Sequence, residues 1–88
     1  MKYILQYTKH AKKDLGAINK KDLKRIILKL EYFLNNNPLT FSKALSGALK
    51  GLFRFRIGDY RLIFHKNAKN KITILTILKI RHRKEIYE

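Results

Sequence analysis

The chain has no cysteine and no tryptophan, a single proline, four glycines and only six acidic residues among its 88. Without cysteine there is neither a disulfide framework nor a thiolate metal site. His10, His65 and His82 are too dispersed to give the ligand spacing of a zinc site. No cofactor is therefore implied. No apolar run approaches the roughly 20 residues of a membrane span, and the apolar stretch in MKYILQYTKH is too short for a secretory signal. The expectation is a cytoplasmic protein with no membrane partner. Nothing reads as a linker, repeat or low-complexity tract, so one domain over residues 1–88 is expected.

Six acids stand against 21 Lys+Arg, a formal net charge of +15 that exceeds what solubility requires. A polyanion is the expected partner. Lys12, Lys13, Lys20, Lys21, Lys24 and Arg25 are candidates for contacting a nucleic-acid backbone. For the lysines, solvation of helix surfaces is an equally open reading. The hydrophobic fraction of 45% is that of a globular chain, so disorder is not the explanation of the charge.

The segment GLFRFRIGDYRLIFH, residues 51–65, carries the most specific pattern. Phe53, Phe55 and Ile57 alternate with Arg54 and Arg56, and after Gly58-Asp59 the residues Tyr60, Leu62 and Phe64 alternate with Arg61, Ile63 and His65. This predicts a hairpin with one face in the core and arginines on the other. Arginine's planar fork matches phosphate bidentately, so such a face suits an anion. Tyr60 falls on the core side, and Gly47, Gly51 and Gly58 read as turn residues.

KYILQY, residues 2–7, predicts a first strand with Tyr3, Leu5 and Tyr7 on one side. Thr8 is the expected cap of a short helix to about Ile18, and Asn19 with Asp22 resembles a capping box. From Leu23 the stripe Ile26, Ile27, Leu30, Phe33 and Leu34 predicts a second helix, stopped by Asn35-Asn36-Asn37-Pro38. A loop to about Gly51 is expected. Asn67-Ala68-Lys69-Asn70 reads as a turn, and ITILTILKI, residues 72–80, reads as a central strand covered on both faces. The class is α+β, with two N-terminal helices on a mainly antiparallel four-stranded sheet in the order β-α-α-β-β-β.

Two stretches resemble the RelE/ParE toxin superfamily of type II toxin–antitoxin systems, and its RelE branch in particular. They are L-x-G-x-x-x-G-x-x-R-x-R-x-G-D-Y-R from Leu45 to Arg61, and H-R-x-x-I-Y from His82 to Tyr87. The resemblance implies a ribosome-dependent endoribonuclease that cuts messenger RNA in the aminoacyl site. It also implies a RelB-like antitoxin partner, acidic and helical, wrapping the toxin in a hetero-oligomer.

Metal-independent RNA cleavage uses the 2′-hydroxyl as nucleophile. It needs a proton acceptor, positive charge for the transition state and a proton for the leaving oxygen. By resemblance Arg61 matches an arginine assigned to transition-state charge, Arg81 a phosphate-contacting arginine, and Tyr87 a tyrosine that stacks on or orients the nucleotide. Arg54 and Arg56 fall where relatives carry lysines, and arginine is never deprotonated at ordinary pH. The expected catalytic set is Arg56, Arg61, Arg81, His82 and Tyr87. Arg54, Lys79 and Arg83 contact neighbouring RNA. His82 is nominated for proton transfer because histidine titrates in the right range unperturbed, whereas Glu31 and Glu85 need a special environment. Two alternatives stand beside this reading: a ParE-like gyrase inhibitor, and a basic RNA-binding module without catalysis.

Overall fold

The computed structural model describes residues 2–83. Five strands and two helices follow in the order β1 (Lys2–Tyr7), α1 (Lys9–Gly16), α2 (Lys20–Asn35), β2 (Ser42–Ala44), β3 (Phe53–Ile57), β4 (Tyr60–Lys69) and β5 (Ile72–His82). The sheet order is β1-β5-β4-β3-β2, with β1 parallel to β5 and every other pairing antiparallel. The fold is thus the expected two helices on a mainly antiparallel sheet, with one strand more than expected. The addition is β2, which pairs Ser42, Lys43 and Ala44 with Phe55, Arg54 and Phe53. At three residues it is too short to produce a readable alternation.

Both helices start where their caps predict. Thr8 accepts the Ala11 N–H at 3.1 Å, and Asn19 accepts the Asp22 N–H at 2.9 Å while its amide donates to the Asp22 carboxylate at 3.0 Å. α2 ends before Asn37, which takes the left-handed conformation at φ 60° ahead of Pro38. The turn expected over residues 67–70 shrinks to Asn70-Lys71, because Asn67, Ala68 and Lys69 stay paired with β5 and Asn70 alone adopts φ 58°.

The helices bury Ala11, Ile26, Leu30 and Phe33 against one sheet face, which supplies Phe55, Ile57, Leu62, Phe64, Leu75, Ile77 and Ile80. Phe55 stacks on Phe64 with ring centroids 4.4 Å apart and meets Phe33 at 5.1 Å. β5 is central in the sheet, as expected, but only one of its faces is fully covered. Thr73, Leu75, Ile77 and Ile80 are buried, while Ile72, Ile74 and Thr76 are half-exposed.

Candidate nucleic-acid interface

The sheet face turned away from the helices is where the arginines gather. Along β3 the apolar side chains enter the core, so Arg54 and Arg56 rise from the opposite side. Their cross-strand partners extend this surface into two rows. One runs Lys43, Arg54, Ile63, Lys79 across β2 to β5, and the next runs Arg56, Arg61, Arg81 across β3 to β5. Neighbouring strands lie roughly 4.8 Å apart, so members of a row are immediate neighbours. Like charges directly opposite one another weaken a sheet.

A β-bulge builds the β5 half of this surface. The register passes from Phe64 opposite Ile77 to Ile63 opposite Lys79, leaving Leu78 as the extra residue. Without it Lys79 and Arg81 would continue the buried series Thr73, Leu75, Ile77. With it Ile80 stays in the core, and Lys79 and Arg81 turn to the arginine face.

The connection from β2 to β3 supplies a wall. A 3-10 turn at Gly47–Leu49 sets Leu45 and Leu49 beside Ile63, itself only 7% exposed. These three and Arg54, Arg61, Lys79 and Arg81 line a groove of about 280 Å³. Arg56 is exposed and in register with Arg61 but does not line the groove.

Arg81 is held from outside the sheet. β1 stops at Tyr7 opposite Ile77, so among the described residues no strand pairs with the last residues of β5 on that edge. Asp14 of α1 occupies the gap: its Oδ2 accepts the Ile80 N–H at 2.9 Å and the Arg81 guanidinium at 3.3 Å. Arg81 Nη2 lies 3.3 Å from His10 Nε2.

His82 does not join the arginines. It is the next residue of the same strand, so it points to the helix side, opposite Tyr60, with the two rings edge-to-face at 5.0 Å. There it lines a separate recess with Asp14, Ile18 and Tyr60. The Tyr60 hydroxyl donates to Asp22 at 2.9 Å, and this bond with that from Asn19 holds the Asp22 carboxyl below its ordinary 3.8. Arg83 is exposed, and its N–H donates to the Asp59 carbonyl at 2.6 Å. Tyr87 and Glu85 lie outside the described residues. Glu31 is exposed on α2, in the helix layer.

Lys12, Lys13, Lys20, Lys21, Lys24 and Arg25 are exposed on the helices, the other layer of the molecule. Lys21, Lys24 and Arg25 line a shallow groove along α2 with Leu28, Lys29 and Tyr32. Its floor is apolar, with Leu28 56% and Tyr32 51% exposed. The chain therefore carries two basic surfaces of different character. Sequence reading missed Lys43, Leu45, Leu49 and Asp14. The pair of leucines flanking Gly47 was the one signal for the wall.

The family model described as ParE toxin of type II toxin-antitoxin system, parDE, matches residues 5–87. Toxin RelG of Mycobacterium tuberculosis is 31% identical over 87 residues, covering 99% of this chain and 98% of its own. The toxin-antitoxin complex RelBE2 of the same organism contains a chain of 26% identity with a TM-score of 0.79, over 94% of this chain and 100% of that one. The archaeal RelE-RelB complex from Pyrococcus horikoshii contains one of 31% identity with a TM-score of 0.67, over 94% and 97%.

Proposed function

The chain belongs to the RelE/ParE toxin family of type II toxin–antitoxin systems, and on that premise we propose that it is a ribosome-dependent endoribonuclease cutting messenger RNA in the aminoacyl site. The observation that carries this reading is the convergence of Arg54, Arg61, Lys79 and Arg81 in one groove. Four cations there suit a single backbone phosphodiester better than a run of paired bases.

In the proposed reaction the 2′-oxygen forms a bond to the adjacent phosphorus as the bond from phosphorus to the 5′-oxygen breaks. The products are a 2′,3′-cyclic phosphate and a 5′-hydroxyl. Arg61 and Arg81 neutralise the charge that grows on the phosphoryl oxygens, with Arg54 and the neighbouring Arg56 holding the flanking backbone. The nucleophile loses one proton and the leaving oxygen gains one. The nucleophile's proton passes to water, and the Lys79 ammonium, a donor with no lone pair to accept, protonates the leaving oxygen and takes a proton back from solvent. His82, on the opposite face, is left out of this step, and Tyr87 stacks on the nucleotide. Exposed Lys12, Lys13, Lys20, Lys21, Lys24, Arg25 and Arg83 meet ribosomal RNA backbone.

The proposed neutralising partner is a RelB-like antitoxin with an acidic amphipathic helix, forming a hetero-oligomer in the cytoplasm. The two solved relatives described above are toxin–antitoxin complexes. The acidic and apolar faces of such a helix match the cations and the apolar floor of the α2 groove.

The description of the matching family model names ParE toxins, and the second reading kept beside the nuclease is that of a ParE-like gyrase inhibitor. Primer-extension mapping on translating ribosomes, run beside a gyrase supercoiling assay, separates the two. The nuclease reading predicts new 5′ ends within the aminoacyl-site codon and normal supercoiling. Intact message with supercoiling lost gives the gyrase reading, and neither effect leaves an RNA-binding module.

A further inference from the structure

We propose that Asp14, on α1, is a positioning residue for Arg81. The inference rests on the nuclease reading of the groove. Besides His10 Nε2 at 3.6 Å, the Asp14 carboxylate has two partners on β5, and these ties differ in chemistry. Its bond to the Ile80 N–H at 2.9 Å stands in for the strand pairing that ends with β1. Any acceptor oxygen at that place can make it. Its bond to the Arg81 guanidinium, at 3.3 Å between Nη1 and Oδ2, is an ion pair and needs the charge.

The second tie matters because of where Arg81 sits. It closes the Arg56, Arg61, Arg81 row, where like charges push one another apart. A long side chain at the end of such a row has every electrostatic reason to swing into solvent. Asp14 draws the guanidinium towards the β5 edge, where Nη1 also lies 3.3 Å from the Ile80 carbonyl oxygen and Nη2 the same distance from His10 Nε2. The side chain of Asp14 is only 17% exposed, so this counter-charge is held in a fixed place. Arg81 thereby meets a phosphodiester already ordered, and the cost of fixing it is met in folding rather than during the reaction.

The test is a double-mutant cycle of Asp14→Asn and Arg81→Ala, read as single-turnover cleavage of message on saturating programmed ribosomes, with melting curves of each protein. Asn keeps an oxygen for the Ile80 N–H and removes the charge, so Asp14→Asn is expected to melt like the wild type. Its cleavage constant is expected to fall about tenfold, with the ribosome concentration for half-saturation unchanged. In the Arg81→Ala background the same change is expected to add no further loss, and Asp14→Glu is expected to restore part of the rate. An undiminished rate in Asp14→Asn overturns the assignment, as does an equal loss with and without Arg81, which marks a merely structural role. Failure of the wild-type protein to cleave, or full cleavage by Arg81→Ala, overturns the nuclease reading instead.

Discussion

Arg61 and Arg81 stand directly opposite each other on neighbouring antiparallel strands, with Arg56 opposite Arg61 on the other side. A row of three guanidiniums is a poor choice for stability, because opposed like charges on a sheet cost roughly 0.2–1 kcal/mol per pair. Replacing Arg61 by methionine keeps the length of the stem and removes the central charge. Arg61→Met is expected to raise the melting temperature by a few degrees in low salt, since about 1 kcal/mol moves a domain of this size by about 4–8 °C. The gain should shrink in high salt as screening weakens the repulsion in the wild type. Thermal melts at two salt concentrations check this.

Two glycines are expected to respond to alanine with opposite signs. Gly58 turns the β3–β4 hairpin at φ 58°, and a Cβ there meets Nη1 at the far end of the Arg25 side chain at 3.1 Å, so the backbone decides the cost. Gly58→Ala should destabilise by about 1–2 kcal/mol. Gly16 closes α1 with nothing within 4 Å of a Cβ and no positive φ. Gly16→Ala should stabilise by about 0.4–1 kcal/mol. Urea midpoints at unchanged slope are the readout.

The bond from Tyr60 to Asp22 predicts a pH dependence of definite sign. The Tyr60 hydroxyl is the first cause of the depressed Asp22 carboxyl, with the Asn19 amide second. A carboxyl depressed in the folded chain contributes stability that is complete above its unfolded value, near 3.8, and lost as pH falls through the lower folded value. Tyr60→Phe should therefore unfold at lower urea than wild type near pH 7, with the deficit narrowing as pH falls below 3.8 and through the lower folded value. A deficit that does not narrow as the pH is lowered assigns the loss to packing rather than to the carboxylate.

Much of this architecture was legible because its signals are local and periodic. The alternation of Phe53, Phe55 and Ile57 with Arg54 and Arg56 fixed which side chains share a face, and the stripe of Ile26, Leu30 and Phe33 fixed the buried side of α2. What escaped depends on register. ITIL-TILK is apolar on both faces, so no break in alternation announced the bulge at Leu78 that swings Lys79 and Arg81 to the arginine side. The strand was also expected to end at residue 80. Because β5 runs to His82, neighbouring residues point oppositely, and the histidine nominated beside the arginines faces Tyr60 instead. Asp14 was invisible for a related reason: its role exists only because β1 ends before β5 does.

The central claim is that the sheet face, rather than the basic helix face, holds the phosphodiester to be cut. Its most direct test is single-turnover message cleavage at saturating ribosomes by Arg61→Ala beside the double variant Lys24→Ala, Arg25→Ala. The account predicts a fall of about a hundredfold or more for Arg61→Ala, whereas the α2 variant, which loses ribosomal RNA contacts, should need more ribosome for half-saturation and keep the saturated cleavage rate. Wild-type cleavage by Arg61→Ala would contradict it.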